Sequence, residues 1–145
     1  MIWGCISYNG VGSLAFVERN LNSKGHQNIL ENHLWPVVAK YFPCNNIVFQ
    51  DHNAPVHRAR SIIEYKLRNE TKSLCWPAQS PHLNIIENVW LRLKNTLHNN
   101  IDAITCVEEL NAAITTAWIS VPNNYISWLY NSIPRRQRAV LTFDF

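Results

Sequence analysis

The chemistry-bearing residues of this chain gather in two short runs. The first is Phe49-Gln50-Asp51-His52-Asn53-Ala54-Pro55-Val56-His57, in which the apolar stretch Ile47-Val48-Phe49 ends in a polar cluster. Pro55 stops the extended segment, and a helix-like pattern begins near Arg58. This is how an α/β enzyme delivers polar side chains to the carboxyl end of a buried strand. The second run holds Glu87, which the pattern after Ser80-Pro81 places in the first turns of a helix. Taken alone, Glu87 reads as a helix-start acid favoured by the dipole. Taken with Asp51, it reads differently. A strand-end acid and an acid at the start of a later helix can converge on a divalent cation, and two such cations can clamp the attacking and leaving oxygens of a phosphodiester. That chemistry needs three acidic side chains, which must hold the metals and still leave positions for water and phosphate.

The elements that must position these residues follow from periodicity. Met1–Tyr8 and Ser13–Val17 read as a hairpin turned at Asn9-Gly10, with Val11-Gly12 lengthening the loop. Asn22–Lys40 reads as a helix with Ile29, Leu30, His33, Leu34, Val37 and Val38 on one face, weakened or kinked at Pro36. Arg58–Asn69 reads as a basic helix, and Ser73–Trp76 as a short strand closed by Pro77. His82–His98 follows as a helix with Ile86, Val89, Trp90, Leu93 and Leu97 inward, then Cys106–Ser120 with Val107, Leu110, Ile114, Ala117 and Trp118 inward. Ser120 with Pro122, and Ser132 with Pro134, read as caps of two further helices. The order, strands first, then strands alternating with helices, then helices alone, is that of an α/β fold with a mixed sheet.

Bulk properties bound the rest. At 145 residues, 47% hydrophobic and 16% charged, the chain fits one globular domain with a moderate core. A net charge of +3 permits nucleic-acid binding without demanding it. Cys5, Cys44, Cys75 and Cys106 are widely spaced in apolar contexts with no CxxC, which speaks for reduced core cysteines in an intracellular protein and against a zinc site. No apolar run approaches the roughly 18 residues of a membrane span, and the N-terminal residues lack the pattern of a signal peptide. They run straight into strand-like sequence, as if the chain began inside a domain.

Three runs then carry a resemblance. Trp3-Gly4-Cys5-Ile6-Ser7, the Phe49–His57 run, and Trp76-Pro77-Ala78-Gln79-Ser80-Pro81-His82-Leu83-Asn84-Ile85-Ile86-Glu87-Asn88-Val89-Trp90 closely resemble the catalytic domain of Tc1/mariner-type transposases, which are DDE superfamily endonucleases. Ser132-Ile133-Pro134-Arg135-Arg136 resembles the C-terminal helix motif of the same family. The resemblance implies an RNase H-like fold and a DDE acid triad binding Mg²⁺ or Mn²⁺. It implies cleavage of transposon ends and strand transfer into target DNA in a nuclear or other DNA-containing compartment, with a homo-oligomer as a further expectation. It also implies that residues 1–145 are a single, partial catalytic domain, without the first sheet strand or strands and without the helix-turn-helix region that precedes the domain in the family.

Carried over residue by residue, the triad is damaged. The third acid corresponds to Glu87, and the second stands 34 intervening residues earlier (53–86), where this chain has His52. Asp51 occupies the preceding slot. The first acid belongs to a strand upstream of Trp3-Gly4-Cys5. His82 replaces an Asp common in the Ser-Pro-Asp motif, and Ile85 a common Pro. Neutral imidazole is a poor ligand for Mg²⁺ and a somewhat better one for Mn²⁺. Successive strand residues point to opposite faces, so Asp51 substitutes only if a twist or bulge turns it round. Glu87 and Asp51 are therefore the candidate metal ligands, with His52 in the place of the lost acid, and the expectation is no metal-dependent strand cleavage by this chain alone. Arg58, Arg60, Lys66 and Arg68, and then Arg135, Arg136 and Arg138, are candidate DNA-backbone contacts or else solvated helix faces. His57 either orients the site or caps the next helix. The six tryptophans, Trp90 and Trp118 above all, read as core rather than as base-stacking platforms. Three readings remain: a Tc1-like transposase catalytic domain that has lost its chemistry, a non-enzymatic nucleic-acid-binding or interaction module on the same fold, and a decaying open reading frame with no selected function.

Overall fold

The computed structural model describes residues 1–17, 21–44, 46–51, 59–74, 83–99 and 103–143, with side chains described as far as Ala139. The chain divides into two compact units: Met1–Gly4 with Ala15–Ser80, and Cys5–Leu14 with Pro81–Phe145. The N-terminal hairpin supplies residues to both. Its strands are β1 (Ile2–Ser7) and β2 (Gly10–Phe16). The turn is tighter than the sequence predicts: Tyr8-Asn9 form it, and Gly10 already opens β2 with φ +127°, a conformation that disfavours any side chain. The base of the hairpin is closed by Met1 and Val17, whose main chains exchange hydrogen bonds of 2.8 and 3.0 Å.

In the first unit, Asn22 caps α1 (Ser23–Ile29) by accepting from the Gly25 amide at 2.8 Å. A π-helical segment, Leu30–Leu34, leads into α2 (Trp35–Tyr41). The weakening expected at Pro36 takes this form: the α-helical ladder gives way to a π turn just before the proline. Pro36 sits in the first turn of α2, where its missing N–H is no loss. The extra residue of the π segment, marked by the Trp35 amide bonding back to the Leu30 carbonyl, restarts the ladder just before it. Ile29, Leu30, Leu34 and Val38 are buried as predicted, and the half-buried His33 lies 6.3 Å from the Trp3 ring.

The remainder of this unit is a β–α–β crossover. Strands β3 (Val48–Phe49) and β4 (Lys72–Ser73) pair in parallel, Val48 opposite Lys72 and Phe49 opposite Ser73, and α3 (Arg60–Arg68) joins them. The predicted buried strand is thus two residues long, and Val48 is 61% exposed. Helix α3 ends in a Schellman motif: the Thr71 amide bonds to the Lys66 carbonyl, the Glu70 amide to the Leu67 carbonyl, and Glu70 takes the left-handed conformation at φ +52°. The Trp35 indole N–H donates to the Tyr65 hydroxyl at 2.7 Å, tying α2 to α3.

The second unit is built on α4 (Ile86–His98), α5 (Val107–Ile119) and α6 (Asn123–Phe143). Its core holds Val89, Leu93, Ile114, Ala117, Trp118, Ile126 and Leu129. Half-buried Trp90 stacks on buried Trp118 with centroids 5.0 Å apart, in keeping with the core reading of this pair, whereas Trp128 is 56% exposed and corrects that reading as applied to all six tryptophans. The Trp118 N–H donates to the Gly12 carbonyl, and the Tyr130 hydroxyl to the Ile6 carbonyl, which seats the hairpin residues of this unit. Three further expectations are corrected. Val107, the first residue of α5, is 66% exposed. Cys44 and Cys106 are exposed rather than in the core, while Cys75 lies outside the described residues. Lastly, the two C-terminal helices are one. Pro134 lies inside α6, and Ser132 caps nothing: it is buried, donating to the Leu129 carbonyl at 2.6 Å and accepting from Arg136 Nε at 2.8 Å. Leu129 and Ser132, both buried and both preceding Pro134, anchor the turn that leads into the proline.

Two glycine-related substitutions should have opposite signs. Gly10→Ala puts a Cβ at a positive φ and 2.4 Å from the Asn123 side-chain oxygen, and should destabilise by about 1–3 kcal/mol. Glu70→Gly relieves a left-handed non-glycine residue and should stabilise by about 1 kcal/mol. Thermal denaturation of the two variants checks both, as a lowered and a raised midpoint.

Candidate functional site

Strand β3 runs into Gln50 and Asp51, both half-buried. What meets Asp51 comes from α3. The apolar side of that helix carries Ile62 and Tyr65, and the next residue, Lys66, is buried with them at 8% exposure. Its ammonium donates to Asp51 Oδ2 as an ion pair and lies 5.0 Å from the Phe49 ring centroid. Their side chains are 10% and 19% exposed. One β3–α3 contact therefore holds a carboxylate, a cation and an aromatic face together. In this setting the pair keeps both charges tolerable, because an isolated buried charge is costly.

The predicted site residues separate along this geometry. Asp51 belongs to the first unit, bonded by Lys66; Glu87 belongs to the second, on the exposed first turn of α4. The start of α4 is shaped by Asn84, whose side-chain oxygen accepts from the Ile86 amide at 3.4 Å and whose carbonyl accepts from the Glu87 amide at 3.1 Å. His52, His57 and Arg58 lie outside the described residues. Lys66 faces inward and so is not part of an exposed basic face. Arg60 is exposed and bonds Glu64 at 2.7 Å one turn along α3, a surface pair that offsets part of its charge. Arg135 is exposed, whereas Arg136 is half-buried and donates to Ser132 and, at 2.9 Å, to the Asn88 side-chain oxygen.

The two described carboxylates singled out from sequence lie in different units, Asp51 in the first and Glu87 in the second. Among the described residues no three His, Cys, Asp or Glu side chains form a group that could hold one. The Asp51 carboxylate already carries a cationic partner. Cys5, the half-buried cysteine of the hairpin, is held as a neutral thiol, since burial pushes its pKa up to about 11 against the smaller opposing effect of its bond to the Ser13 carbonyl.

The Lys66–Asp51 pair was not anticipated from sequence. Its signal was present in the spacing: Lys66 follows Ile62 by four residues and Tyr65 by one, on the inward side of α3. Exposed Ile63 and Leu67 blurred that periodicity. Two arginine contacts of the second unit also had no sequence signal, Arg136 to Asn88 and Arg92, whose guanidinium lies 4.9 Å from the Tyr125 centroid.

Residues 1–111 match the DDE superfamily endonuclease family, and over 93% of the chain the fold superposes on the RNase H-like Mos1 transposase catalytic domain solved with raltegravir and Mn, with a TM-score of 0.78 at 17% identity and 70% of that chain covered. A Mos1 paired-end complex with left transposon end gives a TM-score of 0.74 at 17% identity, over 93% of this chain and 40% of that one. The transposase of transposable element Tcb1 from Caenorhabditis briggsae is 33% identical over 141 residues, which is 97% of this chain and 50% of the relative. This chain belongs to the DDE superfamily endonucleases, as a Tc1/mariner-type transposase catalytic domain. It spans about half the length of the curated relatives it matches.

If the pair holds β3 to α3, removing one partner should cost more than removing both. Lys66→Met keeps the stem over Phe49 but leaves Asp51 without its cation, and should destabilise by roughly 3 kcal/mol. Adding Asp51→Asn should recover most of the loss. Urea unfolding of both single variants and the double variant measures the coupling; additive losses would remove the pair from the account.

Proposed function

We propose that this chain is a Tc1-like transposase catalytic domain that engages DNA without cutting it by metal-dependent chemistry of its own. The observation that carries this reading is the ion pair at the end of β3. A carboxylate that serves a two-metal site must offer its oxygens to the cation, and Asp51 bonds the ammonium of Lys66 instead. His52 stands where the family's second acid would be, and neutral imidazole suits Mg²⁺ poorly. Glu87 is then an exposed helix-start acid favoured by the α4 dipole. The metals named with the Mos1 catalytic domain, Mn and Mg, are that protein's; the engagement of Asp51 by Lys66 argues against a matching site in this chain.

DNA as the partner is supported by membership of the family and by the excess of positive charge, +3 on 145 residues. Arg60, Arg68, Arg135 and Arg138 are the exposed candidates among the described residues singled out from sequence. Their contribution would be to phosphate and hence independent of sequence. The compartment that follows is one containing DNA. No helix among the described residues is long and apolar enough to cross a membrane. A catalytic domain that kept its chemistry would instead need Glu87 to hold a metal.

Calorimetric titration with Mn²⁺, on the chain as it stands and on Glu87→Ala, separates these outcomes. The expected result is no saturable isotherm that depends on Glu87, with no Glu87-dependent nicking of duplex DNA, while duplex binding persists and weakens steeply as salt rises. A saturable Mn²⁺ isotherm abolished by Glu87→Ala, or cleavage abolished by Glu87→Gln, would overturn the proposal.

A further inference from the structure

The second unit contains an open cleft of about 400 Å³, between α4 and the start of α6, that none of the transposase chemistry accounts for. Its volume falls within the range of small-ligand sites, about 300–1,000 Å³. Three amides face it, Asn88, Asn95 and Asn99, with Thr96 beside them. Leu91, 56% exposed, supplies an apolar patch, and the Tyr125 ring forms one wall. Among the described residues Arg92 is the charged residue of the lining, and no carboxylate of theirs is part of it. The guanidinium of Arg92 lies 4.9 Å from the Tyr125 centroid, which fixes its position. A second guanidinium reaches the cleft's edge, where Arg136 donates to Asn88 at 2.9 Å. Beyond the cleft the aromatic surface continues: Trp128 stacks on Tyr125, centroids 6.1 Å apart and planes 18° apart, and is itself 56% exposed.

These features select a ligand chemistry. Amides both donate and accept, which matches the mixed edge of a nucleobase. A guanidinium without a competing carboxylate favours phosphate. A flat apolar-aromatic surface that stays exposed favours a base that is out of its stack, because only an unpaired base presents its face. The pairing of an open polar cleft with an exposed indole beside it suits two successive nucleotides, not one free molecule. We propose that this cleft binds single-stranded DNA, one nucleotide seated against Asn95, Asn99 and Arg92 and its neighbour stacked on Trp128. The proposal rests on the DNA reading above only for the identity of the polymer. Tyr125 and Trp128 lie outside residues 1–111, the part that matches the endonuclease family.

Fluorescence anisotropy with a short labelled oligothymidylate tests it, with circular dichroism showing that each variant is folded. Trp128→Ala should weaken binding roughly 5- to 100-fold, the range expected for loss of one stacked base. Asn95→Glu, which places a carboxylate in the lining, should weaken it comparably. Lys24→Ala, an exposed lysine on α1 of the first unit, should change it by less than about threefold, as a general phosphate contact would. Unlabelled duplex of the same length should compete poorly. The proposal fails if oligothymidylate does not bind, if Trp128→Ala and Asn95→Glu leave binding unchanged, if duplex competes as well as single strand, or if thymidine monophosphate alone binds as tightly as the oligomer. Duplex binding is read in the same assay. Its loss together with intact single-strand binding would sink the duplex reading and leave the cleft standing; the reverse would sink the cleft alone.

Discussion

A charge moved out of water needs a partner, and the first unit meets that requirement by setting the Lys66 ammonium against the Asp51 carboxylate. Much of the local architecture is arranged around that contact. The Schellman turn at Glu70 ends α3 just past Lys66 and sends the chain directly into β4. The parallel pairing of β3 with β4 sets the strand end that carries Asp51. Tyr65, the residue before Lys66, is fixed through its hydroxyl by Trp35, so the helix face that presents the lysine is held on both sides. A strand only two residues long can position a polar side chain because its neighbour α3 does the anchoring. The same contact also constrains function. The carboxylate nearest the position of the family's second acid is already neutralised from within the chain, and a hard cation would have to displace an ammonium to reach it.

The second unit solves a different problem, a long helix containing proline. α6 runs through Pro134, and its inward residues before the proline, Ile126, Leu129 and Ser132, are buried in sequence along one face. Arg136 then bonds back to Ser132 and across to Asn88 on α4. This basic residue reads from sequence as a DNA contact or a solvated face; the structure uses it to tie two helices. Its neighbour Arg135 remains exposed. Adjacent arginines thus take separate roles, decided by which side of a helix each occupies.

Much of the fold was legible in the sequence because it rests on periodic burial. The core faces around Leu30 and Leu34, and around Val89 and Leu93, follow helical spacing, and the Trp90–Trp118 stack follows from two such stripes. The family resemblance lay in motifs whose residue types are read directly. What was not legible depends on three-dimensional choice. Pro36 could have broken its helix, yet a π segment absorbs it; Ser132 and Pro134 look like a new start, yet tertiary burial overrides the local signal. Val107 sits on the apolar stripe of α5 by spacing but at its exposed first turn in fact. Of the candidate site, Glu87 at a helix start was readable. The commitment of Asp51 to Lys66 was not, since it joins residues 15 apart through a helix packed on a strand.

The central claim is that Asp51 is committed to Lys66 and that no divalent cation is held beside it. Paramagnetic broadening of backbone amide signals by Mn²⁺ tests this at the residues themselves. The account predicts only weak, non-saturating broadening spread over exposed carboxylates, with the amides of Gln50 and Asp51 no more affected than others. Strong, saturable broadening centred on Gln50 and Asp51 together with Ile86 and Glu87 would contradict it, for it would mean that the cation displaces Lys66 and assembles the site.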